Sequence, residues 1–255
     1  MHFTALVLLF AVALFVGTFL TLEAGRRLGR GAEEANAAGV GAVEGAVFAL
    51  LGLLLAFTFS RAASRFDSRR ELVAQEANAV GTAWLRIDLL PEQDQGRVRD
   101  LFRRYLDSRL ATYEKIGRDE APDAAIAQSA RLQHEIWKTS VGACRGADSA
   151  TACLLLLPAL NEMIDITTTR AMAARIHPPL VVFLLLGALT LVAGLLAGYG
   201  MATGKARTLF HRIAFAAVIA TAFYVIVDIE YPRLGLIRVD AADSVLADVR
   251  RTMER

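Results

Sequence analysis

The chain has 255 residues, of which 55% are hydrophobic and 21% charged, and its formal net charge is +2. So small a charge, with no basic run interleaved with aromatic residues, argues against a nucleic-acid-binding protein. The hydrophobic fraction is high for a water-soluble domain and indicates a membrane protein.

Four apolar segments predict membrane-spanning helices. The segments 3–22 and 179–200 hold no charged residue, and 39–60 holds only Glu44. An α-helix rises 1.5 Å per residue, so about 20 apolar residues cross a hydrocarbon core of about 30 Å. The fourth segment, 213–227, is shorter and needs a tilt or the residues after it to complete a span. Because the first segment lacks the basic residues that begin a signal peptide, we interpret it as a retained anchor helix.

The polar stretch between the second and third spans predicts a helical extramembrane domain. Large apolar residues recur there every seven positions, at Phe59, Phe66, Val73, Val80 and Ile87. This pattern predicts that the second membrane helix continues out of the membrane to Pro91, as a rod of about 50 residues and about 75 Å. Three further amphipathic segments, 92–116, 121–141 and 154–176, predict three more helices, and alternating strand patterns are absent.

These elements predict an all-α, polytopic membrane protein with two pairs of transmembrane helices and a helical domain inserted between the pairs. Residues 1–60 are expected to hold transmembrane helices 1 and 2, and residues 178–230 to hold transmembrane helices 3 and 4. The extramembrane domain is expected in residues 61–177, and a C-terminal tail in residues 231–255.

The sequence leaves open which side of the membrane holds the large domain. Lys and Arg in short loops favour the cytoplasm. The two short loops are basic, which favours a cytoplasmic location for both loops and an external location for the domain; their basic residues are Arg26, Arg27, Arg30, Lys205, Arg207 and Arg212. Four arginines at the exit of the second membrane helix favour the opposite orientation.

The two cysteines leave a similar choice open. Cys144 and Cys153 flank the turn-rich stretch RGADSATA and are close enough in sequence to form a disulfide in an oxidising compartment. Two unpaired thiols in apolar surroundings fit the sequence equally well.

The sequence gives little support for catalysis. The four histidines are scattered, and none has a second ligand at a spacing typical of metal sites. The phosphate-binding glycine loop, the nucleophile elbow and the zinc-protease motif are all absent. We therefore expect a protein that is not an enzyme, with no catalytic residue, metal site or cofactor.

Charged residues at the edge of the membrane give a stronger indication of function than any catalytic motif does. Asp228 and Glu230 lie at the end of the fourth span, where carboxylates are costly unless they pair or contact water. Arg61, Arg65 and Arg69 follow the second span at four-residue spacing, on one helix face. These five residues are the predicted pore-mouth charges. An ordinary belt of interfacial salt bridges is the competing interpretation.

Two stretches at the helix exits resemble bestrophins. They are LLLAFTFSRAASRFDSRRE after the second span and VDIEYPRLGLIRVD after the fourth. EANAVGTAWLRIDLLP and LNEMID are still more similar to the bacterial bestrophin-like family, whose function is unassigned and which is distantly related to the bestrophin anion channels. The resemblance covers nearly the whole chain in order.

The resemblance implies a homo-oligomeric channel, a pentamer in bestrophins, that conducts chloride and bicarbonate-type anions in a bacterial inner membrane. The implied partners are further copies of the chain, the lipid bilayer and inorganic anions. In bestrophins the second helix lines a narrow apolar neck. By position, the large side chains of the neck would be Leu51, Leu55 and Phe59, with Phe48 and Gly52 on the neighbouring face.

Two differences between this sequence and bestrophins limit which bestrophin properties can be expected of it. The tryptophan pair of bestrophins is absent, because Ser68, Arg69 and Arg70 follow Asp67. Bestrophins also keep their large domain in the cytosol, against the loop charges of this chain. Anion selectivity and calcium binding therefore do not transfer. The alternative is a membrane-anchored helical scaffold or sensor without ion transport, because the small residues of the second span suit helix packing as well as a pore.

Overall fold

The computed structural model describes residues 2–30, 37–117, 121–145, 150–202 and 209–254. In this part of the chain the secondary structure is helical throughout, with no strand, as the sequence predicts. The helices are α1 (His2–Gly29), α2 (Ala37–Arg86), α3 (Glu92–Gly117), α4 (Asp123–Ala143), α5 (Ala150–Arg175), α6 (Leu180–Gly200), α7 (Leu209–Glu230) and α8 (Asp240–Thr252).

Four helical stretches are long and apolar enough to cross a membrane. They lie within Phe3–Gly29, Gly41–Leu89, Thr151–Gly200 and Leu209–Glu230. The predicted all-α architecture with four transmembrane helices is thereby confirmed. One bound differs from expectation, because α1 includes residues 23–29, which were expected in a loop. Helix α7 has 22 residues because it includes residues 209–212 and 228–230 on either side of the apolar segment, so the residues after that segment help to complete the span, as expected.

The chain divides into two compact units. The membrane unit comprises His2–Ser64 and His177–Tyr231, and the helical unit comprises Arg65–Ile176 and Pro232–Arg255. The boundary between the units, at Ser64 and Arg65, lies within α2, so this helix belongs to both. It is one uninterrupted helix of 50 residues. Its exit from the membrane therefore needs no turn, as the seven-residue pattern predicts.

The membrane unit is built around a close contact between α1 and α6. A Cβ atom added at Gly198 would collide with the backbone carbonyl of Leu22, and one added at Gly25 would collide with that of Leu195. Glycines allow two backbones to approach in lipid, where van der Waals contact holds helices together. Helices α2 and α7 complete an apolar core around Leu14, Leu51, Leu186, Ala193 and Phe223.

The helical unit has its own apolar core, formed by α2, α3, α4, α5 and α8. Large side chains such as Phe102, Ile136 and Leu160 are fully buried in it. Cys144, just after α4, forms a disulfide with Cys153 of α5, which decides between the two alternatives that the sequence left open.

Helix α8 is a difference from the sequence prediction, which gave residues 231–255 only as a tail. Leu246 and Met253 of α8 are buried in the core of the helical unit. Arg103 of α3 donates a hydrogen bond to the backbone carbonyl of Met253 at 2.9 Å. The spacing of Val239, Leu246 and Met253 by seven residues was the available signal for this helix.

Candidate functional site

The membrane part of α2 is the least covered of the four spans. Only 6% of its apolar stretch is buried in the protomer, against 22%, 28% and 33% for the other three. Helix α2 therefore presents most of its membrane surface away from the protomer.

The predicted neck residues of α2 differ in how far the protomer covers them. Leu51 is only 2% exposed and lies in the core of the membrane unit. Phe48 packs edge-on against Phe215, with ring centroids 5.9 Å apart, and Leu55 also packs against this core. Leu51 is thus covered within the protomer, and its role in a neck stays a prediction.

Gly52 and Phe59, by contrast, are exposed. Phe59 is 46% exposed, and a Cβ atom added at Gly52 would meet no other atom within 4 Å. These two predicted neck residues thus remain available to other copies of the chain, to lipid or to a pore.

A row of exposed residues that the sequence analysis did not select runs along another side of α2. Ala49, Leu53, Phe57 and Arg61 recur every four residues, and all four are exposed. Leu53 and Phe57 are 52% and 60% exposed. Because residues four apart share a helix face, the row forms an apolar strip that ends in a cation.

Of the other predicted mouth arginines, Arg69 holds the end of another helix. Its Nε donates to the carbonyl of Ala173 at 3.1 Å, and its Nη2 donates to the carbonyl of Ile176 at 3.0 Å. The last carbonyls of a helix have no partner within it, so Arg69 satisfies two acceptors at the end of α5. Arg65 is half-buried, at the first position of the helical unit.

The predicted mouth carboxylates are buried in the membrane unit. Oε1 of Glu230 lies 3.1 Å from Nδ1 of His177, whose ring stacks on Tyr231 with centroids 4.4 Å apart. The hydroxyl of Tyr224 donates to Asp228 at 3.4 Å. Both carboxylates thus have partners close to the end of α7. Their pairing with the arginines of α2 stays a prediction.

A buried ionic cluster in the helical unit was not predicted from the sequence. Glu76 of α2 accepts hydrogen bonds from Nε of Arg109 at 2.7 Å and from the hydroxyl of Tyr113 at 2.8 Å, and a third from Arg170. The Glu76 side chain is fully buried, and the Arg109 and Arg170 side chains are 9% and 8% exposed. The cation of Arg233 lies 4.7 Å from the centre of the Tyr113 ring.

The electrostatics of this cluster keep Glu76 ionised. Burial alone would raise the pKa of Glu76, but the attraction of Arg109 and Arg170 outweighs it and holds that pKa below the ordinary value. Burial raises the pKa of Tyr113, so its hydroxyl keeps its proton and can donate. Both oxygens of Glu76 accept hydrogen bonds, and the cluster is therefore a structural tie between α2, α3 and α5.

A sequence signal for this cluster existed. Glu76 lies three residues after Val73 and four before Val80, so it belongs to the same apolar stripe of α2. A carboxylate inside such a stripe needs a buried cation as its partner. Nothing in the linear sequence says which of the many arginines that partner is.

The part of the chain that the structure covers contains no group of three His, Cys, Asp or Glu side chains that could hold a metal ion. The geometry is instead that of a polytopic all-α membrane protein with one helix left largely uncovered. The chain belongs to the Bestrophin-like family, because the Bestrophin-like domain matches residues 8–243. The resemblance inferred from the helix exits is thereby confirmed.

Solved structures agree with this assignment at the level of the fold. One crystal structure of a bacterial Bestrophin homolog from Klebsiella pneumoniae, carrying a single substitution, matches with a TM-score of 0.73 and 16% identity, over 97% of this chain and 96% of that one. Another variant of a Klebsiella pneumoniae homolog matches with a TM-score of 0.67 and 16% identity, over 99% of both chains. A crystal structure described as a membrane protein matches with a TM-score of 0.70 and 15% identity, over 95% of this chain and 97% of that one. No curated protein matches this sequence.

Proposed function

We propose that the protein is a homo-oligomeric ion channel whose copies surround a path lined by the membrane part of α2. The observation that carries the proposal is the exposed apolar strip of α2 that ends in Arg61. Within the described part of one protomer the four membrane helices pack around side chains, which leaves little room for an ion path between them. A ring of copies encloses a path when each contributes the same exposed helix face.

The burial pattern of α2 supports different roles for its sides. Leu53 and Phe57 form the proposed lining, and the exposed Gly52 and Phe59, which lie on another side of the helix, contact neighbouring copies at its edge. Leu51, Leu55 and Phe48 support that lining from behind, through their contacts in the protomer core. An apolar constriction of this kind gates by losing its water, and large side chains at it set the width of the path.

Anions such as chloride and bicarbonate are the proposed permeant ions. Arg61 follows the apolar strip directly and is exposed, so a ring of copies places a ring of positive charge there. Arg65 follows one turn later. Asp228 and Glu230 already have partners near the end of α7, and we assign them a supporting role rather than one in ion selection.

The proposed orientation in the bacterial inner membrane places the helical unit outside, and the disulfide supports it. Cytoplasmic thiols are kept reduced, whereas disulfides persist on the outer side of that membrane. The bond between Cys144 and Cys153 therefore supports an external location for the helical unit. The basic residues between the apolar segments of each helix pair support the same orientation, which is opposite to that of bestrophins.

Ion flux through purified protein in liposomes tests the channel proposal. We expect anion flux from the wild type, and a higher flux from Leu53→Ala and Phe57→Ala because both changes widen the lining. Leu184→Ala is the matched control, because Leu184 is an apolar side chain of α6 that is 63% exposed. Its flux should equal that of the wild type. Arg61→Glu should shift permeation towards cations.

The absence of flux of chloride, bicarbonate or cations at every potential and pH would contradict the channel proposal and favour the anchored scaffold. The number of copies is a separate measurement. Native mass spectrometry of the protein in detergent should give a mass of five chains, as in bestrophins. A monomer would remove the enclosed path on which the proposal depends.

A further inference from the structure

Glu23 lies at the centre of an arginine cluster in the membrane unit. Arg26 donates two hydrogen bonds to it, from Nε at 3.1 Å and from Nη2 at 2.8 Å. Arg27 donates from Nε at 3.4 Å, and Arg212 donates from Nη1 at 2.6 Å. Glu23, Arg26 and Arg27 lie in the last turns of α1, while Arg212 lies in the first turn of α7. Three cations thus share one carboxylate.

The cluster keeps a large unused capacity for hydrogen bonds. A carboxylate has about four acceptor sites, and the four bonds to Glu23 fill them. Three guanidinium groups carry about fifteen N–H donors, so about eleven remain for other partners. With one negative charge for three positive ones, the net charge of the cluster is about +2. Glu23 therefore orders these arginines without neutralising them.

Exposure shows which side chains a ligand could reach. The Arg27 side chain is 74% exposed, whereas those of Arg26 and Arg212 are 19% and 13% exposed. The two half-buried arginines are held in place by Glu23, and Arg212 also lies over the ring of Phe19, 5.8 Å from its centre. The arrangement combines two fixed cations with one that can adapt to a ligand.

Apolar side chains mark the depth of the cluster in the membrane. Leu28, Leu209 and Phe210 are 65%, 53% and 73% exposed, and each lies within one turn of an arginine of the cluster. Exposed apolar groups of this size belong in hydrocarbon, and long cationic side chains beside them extend to the headgroup layer. The cluster therefore lies where lipid phosphates lie.

We propose that the Glu23–Arg26–Arg27–Arg212 cluster binds the phosphate headgroup of an acidic phospholipid. The planar fork of a guanidinium matches two phosphate oxygens, and such charge-assisted bonds are among the strongest that proteins make. A net charge of about +2 favours a headgroup whose charge is negative overall. A zwitterionic headgroup brings its own cation to the site and binds less tightly. This proposal does not depend on ion transport.

The test is a lipid titration of the purified full-length protein in detergent, followed by native mass spectrometry. Phosphatidylglycerol and phosphatidylcholine with identical acyl chains are the two probes. We expect phosphatidylglycerol to bind about tenfold more tightly than phosphatidylcholine. This difference corresponds to one additional charge-assisted hydrogen bond. Arg27→Gln should remove most of this preference, and its fold should persist because Glu23 keeps Arg26 and Arg212. Arg131→Gln, at an exposed arginine of α4, is the control and should leave the preference unchanged.

Three results would overturn the proposal. They are equal binding of the two lipids, an unchanged preference in Arg27→Gln, and displacement of phosphatidylglycerol by inorganic phosphate at equal concentration, which would indicate a free-anion site. Arg212→Gln is the second variant and should lose the preference more completely. Because binding is the readout, a failure here is distinguishable from an absence of ion flux.

Discussion

Arg109 donates a hydrogen bond to Glu76 at 2.7 Å, although the two residues are 33 positions apart and both side chains are buried in the helical unit. Arg170, 94 positions from Glu76, donates to the same carboxylate. The three residues come from α3, α2 and α5. The helix that we propose as the pore lining is therefore tied, beyond the membrane, to two other helices through a single buried charge.

The first prediction concerns the loss of that charge. Glu76→Gln leaves Arg109 and Arg170 buried without a counter-ion, and breaking a buried ion pair in this way costs about 3–5 kcal/mol. We expect a markedly lower midpoint in thermal unfolding followed by circular dichroism. Glu135→Gln, at an exposed glutamate of α4, is the matched control and should shift the midpoint little. Equal midpoints for the two variants would contradict a stabilising role for the cluster.

The second prediction is the pH dependence that the same cluster imposes. The pKa of Glu76 is lower in the folded protein than in the unfolded chain, so its contribution to stability is complete above the unfolded value of about 4.3. That contribution is lost as the pH falls through the folded pKa. Below about pH 4 the stability of the wild type should therefore fall more steeply than that of Glu76→Gln. Parallel curves for the two proteins would contradict the assignment.

The four spans could be predicted because length and apolar character alone decide whether a helix crosses a bilayer. Which face of α2 is buried could not be predicted. Apolar side chains of a membrane helix face either neighbouring helices or lipid, and Leu51 and Leu53 are identical as residues. Only the packing of α1, α6 and α7 distinguishes them, with one 2% and the other 52% exposed.

The seven-residue pattern of α2 shows a related limit. Val73, Val80 and Ile87 are buried, but Phe59, in the same series, is 46% exposed. A straight helix has 3.6 residues per turn, so a strict seven-residue series rotates by about 20° per repeat. Over the two repeats from Phe59 to Val73 the rotation reaches about 40°. The same rotation of about 40° separates Val73 from Ile87, which are both buried, so it does not by itself expose Phe59. Phe59 belongs to the membrane unit, where other helices pack on α2, and the buried face there is set by those helices. The pattern predicts the helix correctly and its buried face only locally.

The third prediction tests the contact between α1 and α6. Gly198→Ala places a methyl group against the backbone carbonyl of Leu22, so the helices must separate, and the midpoint of thermal unfolding should fall. Gly187→Ala is the control on the same helix, because a Cβ atom there meets no other atom within 4 Å. It should leave the midpoint unchanged or raise it, since alanine favours a helix over glycine by about 1 kcal/mol. The reverse order of the two midpoints would show that the close contact is not what holds α1 against α6.

The last prediction joins the disulfide to the orientation of the chain. The bond between Cys144 and Cys153 closes a loop of nine positions, for which about 2–3 kcal/mol of stabilisation is expected. The wild type isolated from membranes should therefore unfold at a lower temperature after reduction, whereas the Cys144→Ala/Cys153→Ala double variant should not respond to reductant.

The same double variant, free of other cysteines, can carry one reporter cysteine at the exposed Arg104 position of α3. A thiol reagent that cannot cross membranes should label this reporter in intact cells. Labelling only after the cells are opened would place the helical unit in the cytoplasm, as in bestrophins, and a wild type that already contains free thiols when isolated would agree with that result.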